Sequence, residues 1–378
     1  MRDYARYVGF DQHKETIVIA QARAGRDPEE SLGKIQNREE DIAHWLRQRC
    51  REWGSLKEVL VCYEAGPCGY GLYRQMTRMG VACQVVAPSL TPRRPGERIR
   101  TDRRDARKLA GFLRAGELSP VWVPDETHEA LRDLVRAREA AQQDLLRLRH
   151  RLSKMLLRQG KYPPPGVRAW TCAYEEWLDK LQFSQSLHQA LLAEQRQAIL
   201  TAKQLVVRLG EGIAEAVAAS PWAPVVAGLQ CFRGIELVGA ATLATELGAM
   251  GRFSHPRDMM GYAGLVPSED STGESIHRGC TGHGGNHHLR RILVEAAWHY
   301  RHAPAVGRAL GKRQCGQPAK VIEIAWRAQV RLHKRYRRLL ARGKEKNKVI
   351  TALARELVGF IWEAMRVLPV PAATEAQV

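Results

Sequence analysis

The sequence predicts a three-part chain. A mixed α/β domain spans residues 1–125, a long helical coiled-coil segment spans 126–220, and a mainly α-helical region spans 221–378. Three observations carry this reading. Short β-rich runs alternate with helix-period stretches only before residue 125, the pattern of a mixed sheet covered by helices. Residues 127–160 keep apolar side chains at heptad spacing with no turn signal. Beyond Pro221, helix-period stretches dominate and are parted by Gly-rich turns. A length of 378 residues suits two or three domains, each able to bury its own core.

In the first part, Tyr7–Asp11 and Thr16–Ala20 are β-rich runs parted by the polar QHKE, as in a hairpin. A helix follows around Glu39–Trp53, where Ile42, Trp45 and Leu46 recur on one face. Then come a strand at Val59–Tyr63, the Gly-rich turn AGPCGYG and a helix over Leu72–Met79. A strand at Ala82–Val86 stops at Pro88, and a helix at Asp102–Ala115 leads to a strand at Val121–Val123. The intervening TPRRPGERIRTDRRD is too polar for a core and suits a loop facing a polyanion.

The helical segment carries Leu131, Leu134, Ala141, Leu145, Leu148, Leu152 and Met155 in heptad register, with Arg138 at one core-type position. KYPPPGVRAW ends this helix, and a second runs over about Ser186–Ala218. Their narrow apolar stripes suit an antiparallel hairpin or a coiled coil, and point to joining subunits rather than filling a core. In LQCFRGIELVGAATLATELGAMGRF a Gly-flanked turn separates two helical stretches. That pattern resembles a helix-hairpin-helix element, whose turn can offer N–H groups to a phosphate. A plain αα-hairpin is the alternative. A helix begins near Asn286, and Val321–Lys348 reads as one basic helix with ten Lys/Arg against two Asp/Glu.

The whole chain has 59 Lys+Arg against 40 Asp+Glu, a net +19. Such an excess favours a polyanionic partner without separating DNA from RNA. No long basic amphipathic helix with an aromatic apolar face marks a membrane-surface protein. Eight cysteines form no CxxC pair, as expected of reduced thiols in a cytosolic protein. The N-terminus lacks an apolar signal core, and no stretch approaches 18 apolar residues, so the chain is expected to be soluble, intracellular and without membrane contact.

Three constellations carry chemistry. Asp11 and Glu64 end apolar runs, while Asp102 and Asp105 lie three apart on one helix. Carboxylates so placed can converge on divalent ions, and on a basic chain this points to phosphodiester chemistry with Mg²⁺. Ser268, Ser271, Thr272 and Ser275 sit in a Gly-flanked loop near Arg278, Arg290 and Arg291, where a hydroxyl could attack a phosphodiester. No GxSxG elbow is present. His277, Cys280, His283, His287 and His288 match no standard zinc spacing and suit phosphate contacts or helix caps better.

The acidic set resembles the RNase H-like core of RuvC resolvases. More specifically, GFDQHKETIVIA, YEAGPCGYGLYR and RTDRRDARKLA resemble the acidic tetrad of DEDD transposases of the IS 110 / IS 1111 insertion-sequence type, relatives of the Piv-type DNA invertases. GYAGLVPSEDSTGES, GNHHLRRILVEAAW and ARELVGFIWEAM resemble the C-terminal transposase domain of that family. The resemblance implies a Mg²⁺-binding tetrad of Asp11, Glu64, Asp102 and Asp105, and a serine that forms a phosphoserine link to DNA. It further implies a homo-oligomer, dimer to tetramer, and a noncoding bridge RNA that pairs with donor and target DNA, as base pairing does in other RNA-guided enzymes. Relatives often carry a serine immediately before the loop glycine, where this chain has Thr272. Ser271 is therefore the expected nucleophile, with Thr272 and Ser275 as alternatives. Relatives also often carry Thr-Lys where this chain has Gly282-His283, and His283 is assigned no role. Nucleic-acid contacts are expected from Arg100, Arg103, Arg104, Arg278, Arg290, Arg291, Arg331, Lys334, Arg335 and Arg338. The expected location is the bacterial cytoplasm, at the nucleoid. The alternative function is a RuvC-like structure-specific endonuclease that uses metal-activated water.

Overall fold

The computed structural model describes residues 4–92, 101–269, 271, 272, 275, 277–281 and 284–371. The described residues divide into two compact units, one ending at Asp125 and the other Glu126–Pro371.

The first unit is a five-stranded sheet with helices on both faces. Its elements are β1 (Arg6–Gln12), β2 (Thr16–Arg23), β3 (Glu30–Gln36), α1 (Glu39–Trp53), β4 (Val59–Glu64), α2 (Gly71–Arg78), β5 (Ala82–Val86) and α3 (Asp102–Ala115). The strand order is β3-β2-β1-β4-β5. The first three strands form an antiparallel meander, whereas β4 and β5 run parallel to β1. Alternation sorts the side chains between faces. Val8, Phe10, Ile17, Ile19, Val61 and Tyr63 pack with Ile42, Trp45 and Leu46 of α1 and with Leu72 and Met76 of α2. Gly9, Val18, Ala20 and Cys62 face α3.

Two differences from the sequence reading stand out. Val121–Val123 is not a strand: Pro120 forms an isolated bridge with Val86, and the Val121 N–H donates to Val85 O at 2.7 Å. Pro120 and Pro124 bracket the run, and proline lacks the N–H a ladder needs. Conversely, ESLGKIQ, which carries only two large apolar residues, is recruited as edge strand β3, with a register shift opposite Ile19/Ala20.

The second unit is helical apart from one short hairpin. It comprises α4 (Glu126–Arg158), α5 (Cys172–Lys180), α6 (Ser186–Ala218), α7 (Ala223–Leu229), α8 (Leu237–Leu247), α9 (Pro256–Tyr262), β6 (Pro267–Glu269), β7 (Arg278–Thr281), α10 (His287–Ala297), α11 (Arg308–Gln314), α12 (Ala319–Ala341) and α13 (Lys346–Met365). Leu131 and Val135 share one core with Ile213 and Val217, while Leu152 and Met155 share another with Leu192. The two long helices therefore pair antiparallel within the chain, and α5 covers them with Tyr174 and Leu178.

The expected single helix over Val321–Lys348 is in fact two. Helix α12 ends where Gly343 adopts φ +71°. The Gly343 N–H donates to Leu340 O and the Lys344 N–H to Leu339 O, a Schellman closure that frees the chain to turn back as α13. Among the described residues no single helix is long and apolar enough to cross a membrane. Helices α6 and α7 pass only as a pair bent by 117°.

Candidate metal centre and serine loop

The acidic site follows from how β1 meets α3. Phe10 pairs with Tyr63 across the parallel β1–β4 ladder, so the next step sets Asp11 beside Glu64. Strand alternation turns both toward the face occupied by Gly9 and Cys62, which is the α3 face. Gly9 has no side chain, and α3 fills that space with its own backbone: a Cβ there would lie 2.4 Å from Ala106 O. Thr101 then caps α3, its side chain accepting from the Arg104 N–H. The first turn of α3 thereby presents Asp102 and Asp105, where the helix dipole favours negative charge.

Asp11 and Asp102 converge with a residue the sequence reading passed over. His13 Nε2 lies 3.3 Å from Asp11 Oδ2 and 3.5 Å from Asp102 Oδ2. One ligand atom each from Asp11, His13 and Asp102 lie within 4.8 Å of one another. The signal was present, because His13 is two residues beyond Asp11 and just past the end of the same strand, but QHKE reads as ordinary turn polarity. Burial raises the Asp11 carboxyl; His13 opposes this, and the charges of Asp102 and Asp105 add to it. Glu64 accepts a hydrogen bond from Thr91 Oγ1 at 2.9 Å, and Asp105 pairs with Lys108 Nζ at 3.1 Å. Hard oxygen donors with one imidazole suit a divalent ion such as Mg²⁺ or Mn²⁺, and such an ion would offset the crowding of negative charge.

The serine loop lies in the second unit, between β6 and β7. The Ser271 hydroxyl donates to Glu269 Oε1 at 3.1 Å. Thr272 and Ser275 form an isolated bridge, each N–H donating to the other's carbonyl. Ser275 Oγ lies 2.9 Å from His277 Nε2. The side chains of Glu269, Ser271, Thr272, Ser275 and His277 are all exposed. At the loop's neck, Gly264 and Gly285 touch backbone to backbone, and Arg290 donates to the carbonyls of Gly264 and Gly284. Asn286 caps α10, and its side chain donates to Glu246 Oε2 at 2.7 Å.

Glu246 is buried and also receives two Arg136 hydrogen bonds, at 2.7 and 2.9 Å. Burial alone would raise its carboxyl, but Arg136 and then Asn286 outweigh that and hold it below the usual range. A depressed folded pKa makes this contribution complete above about pH 4.3 and loses it as pH falls further. Glu246→Gln should therefore cost about 3 kcal/mol at pH 7 in a denaturant titration and narrow its gap to wild type near pH 3. A constant gap across that range would refute the account.

The remaining residues singled out by sequence are scattered. Arg103 and Arg104 are exposed beside Asp102 on α3. Arg291 is bonded to Glu139 at 2.8 Å and to Glu295 at 3.0 Å. Arg331 and Arg335 both pair with Glu356 of α13, while Lys334 and Arg338 are exposed. His288 contacts Glu139 at 2.6 Å, and no metal cluster forms around it among the described residues. Arg100, His283 and the side chains of Arg278 and Cys280 lie outside the described residues.

The family description "Transposase IS116/IS110/IS902 family" matches residues 227–311. A second, for DEDD transposases of IS110 type, matches residues 8–160, which span all four carboxylates. A Sinorhizobium fredii protein, y4qE, whose transposase name is provisional, is 45% identical over 95% of this chain and 88% of its own length. The transposase for insertion sequence element IS1533 of Leptospira borgpetersenii is 32% identical over 90% of this chain and 98% of its own. The chain belongs to the IS110 family of DEDD transposases.

Proposed function

We propose that this transposase cuts and rejoins DNA through a serine-linked intermediate, with Asp11, Glu64, Asp102 and Asp105 holding Mg²⁺. The convergence of Asp11, His13 and Asp102 on one point carries the reading, and the five-strand sheet beneath them is consistent with an RNase H-like core. A divalent ion there supplies Lewis-acid stabilisation of charge on the phosphate oxygens. Asp11 and Glu64 are fixed by the sheet, whereas Asp102 and Asp105 are fixed by the Thr101 cap, so neither pair has to reorganise. His13 holds the two nearest carboxylates in register.

In the covalent step the Ser271 oxygen bonds to phosphorus as a phosphorus–deoxyribose oxygen bond breaks. Glu269, which already accepts from that hydroxyl, takes its proton, and the departing oxygen takes a proton from solvent water and leaves as a hydroxyl. Attack by a new DNA hydroxyl reverses the step, releases Ser271 and joins the strands without hydrolysis. A second assignment has its own support: Ser275 beside His277 Nε2 is also a nucleophile–base pair.

Trapping covalent protein–DNA adducts under denaturing conditions tests both. Ser271→Ala should abolish adducts and strand transfer while DNA binding persists, a loss of roughly 10⁴-fold or more. If Ser275→Ala does this and Ser271→Ala does not, the nucleophile is Ser275. Cleavage without adducts in either background means hydrolysis by water, the resolvase-like alternative.

The chain is also proposed to act as an oligomer guided by a noncoding RNA. Exposed Leu146 and Leu157 on α4, and Leu187, Leu200 and Val207 on α6, leave apolar surface that a second copy would cover. The guide RNA rests on the family resemblance and on the net charge of +19.

A further inference from the structure

Arg138, the cation that interrupts the apolar stripe of α4, opens onto a cleft of about 790 Å³ within the second unit. Arg233 from the α7–α8 turn, Arg291 of α10, and Arg308 and Arg313 of α11 line the same cleft. Among the described residues, Glu236 and Glu295 are the only acids on its wall. Three of these arginines are largely committed. Arg291 is held by Glu139 and Glu295, and Arg233 donates to the carbonyls of His302, Ala303 and Ala305. Arg313 donates to Gln230 O and lies 3.7 Å from Glu236. Arg308 is exposed, and Arg138 Nε is buried with no hydrogen-bond partner.

Arg138 is half-buried, and an anion in the cleft would satisfy its buried Nε–H. Burial lowers the Arg138 pKa, and the neighbouring charge of Arg291 lowers it further. Helix α8 adds to the field, since Glu236 caps its N-terminus with no side-chain bond while Val238 and Gly239 line the cleft. The first-turn N–H groups there have no intrahelical acceptor. Gly234 sets the turn at φ +80°, against His299 and Ala296 O.

We propose that this cleft seats a backbone phosphodiester of a nucleic-acid strand, paired with Arg138 and Arg308. Its volume is that of a site for a molecule of nucleotide size or somewhat larger. The proposal rests on the nucleic-acid reading above, but it concerns holding a strand and not cutting it. It also accounts for a charged residue at a core-type position of α4.

The test is fluorescence anisotropy of the full-length protein with a labelled single-stranded DNA and with RNA of the same sequence, across a salt series. The double variant Arg138→Gln/Arg308→Gln should bind at least about tenfold more weakly at 0.1 M salt. Its plot of log affinity against log salt should be shallower by about 0.7, the slope of one phosphate contact on a single strand. The Lys/Lys version should recover the slope but not the full affinity, because a guanidinium can grip a phosphate through two bonds. Whichever strand shows the loss is the one the cleft holds. Unchanged affinity and slope for both strands overturn the proposal. Arg308→Gln alone, at an exposed position, decides the matter should Arg138→Gln misfold. Adduct trapping stays a separate readout, so absence of adducts in wild type sinks the serine chemistry while the salt slopes still judge the cleft.

Discussion

Asp11→Asn is expected to lower DNA strand cleavage by at least about 10³-fold in saturating Mg²⁺, equivalent to about 4 kcal/mol of transition-state stabilisation. The substitution keeps the shape of the side chain and its hydrogen bonding with His13. It removes the negative charge that lies beside His13, which also contacts Asp102. A second readout separates metal binding from misfolding. Wild type should melt at higher temperature as Mg²⁺ or Mn²⁺ is added, by linkage to binding, and the variant should respond little. Without metal, the variant should be at least as stable as wild type at neutral pH. Asp11 has a raised folded pKa, so its favourable contribution exists at low pH and is lost as pH rises through that value. Unimpaired cleavage by Asp11→Asn, or an undiminished metal-induced shift, would remove Asp11 from the site.

Much of this centre was legible because it depends on local patterns. Tyr7–Asp11 and Val59–Tyr63 are short β-rich apolar runs bounded by polar or Gly-rich turns, and Asp102 and Asp105 fall in a helical stretch that the structure finds at Asp102–Ala115. His13 was not legible by composition, since one histidine in a polar turn has no distinguishing mark until β1 and α3 come together. β3 was missed for a related reason: its charged, nearly apolar-free run forms a strand only because β2 offers it an open edge. Glu139 and Glu246 look like ordinary surface acids on their helices. The packing of α4 against α8 and α10 buries them, and Arg136, Asn286, Arg291 and His288 make that burial tolerable. The break after α12 was visible in Arg342-Gly343, yet the basic run on both sides masked it.

Gly9→Ala should be far more damaging than its size suggests. The added Cβ would lie 2.4 Å from Ala106 O, 2.6 Å from Ala110 N and 2.8 Å from Leu109 Cβ. Two of these three atoms belong to the backbone of α3, which cannot step aside as a side-chain tip can. Ordinary contact begins near 3.4 Å, so α3 has to retreat by about 1 Å or β1 has to buckle. Overpacking of this kind costs about 3 kcal/mol. The same retreat carries Asp102 away from Asp11, and a displacement of that size in a catalytic array costs roughly 100-fold in rate. Stability and activity should therefore fall together, and metal affinity with them. Gly71→Ala in the same unit, where a Cβ meets nothing within 4 Å, is the control and should change little. Equal melting temperatures and equal cleavage rates for the two variants would show that the close approach of α3 to β1 does not set the site. A stability loss with metal affinity intact would mean that Asp102 reaches Asp11 whatever the seating of its helix.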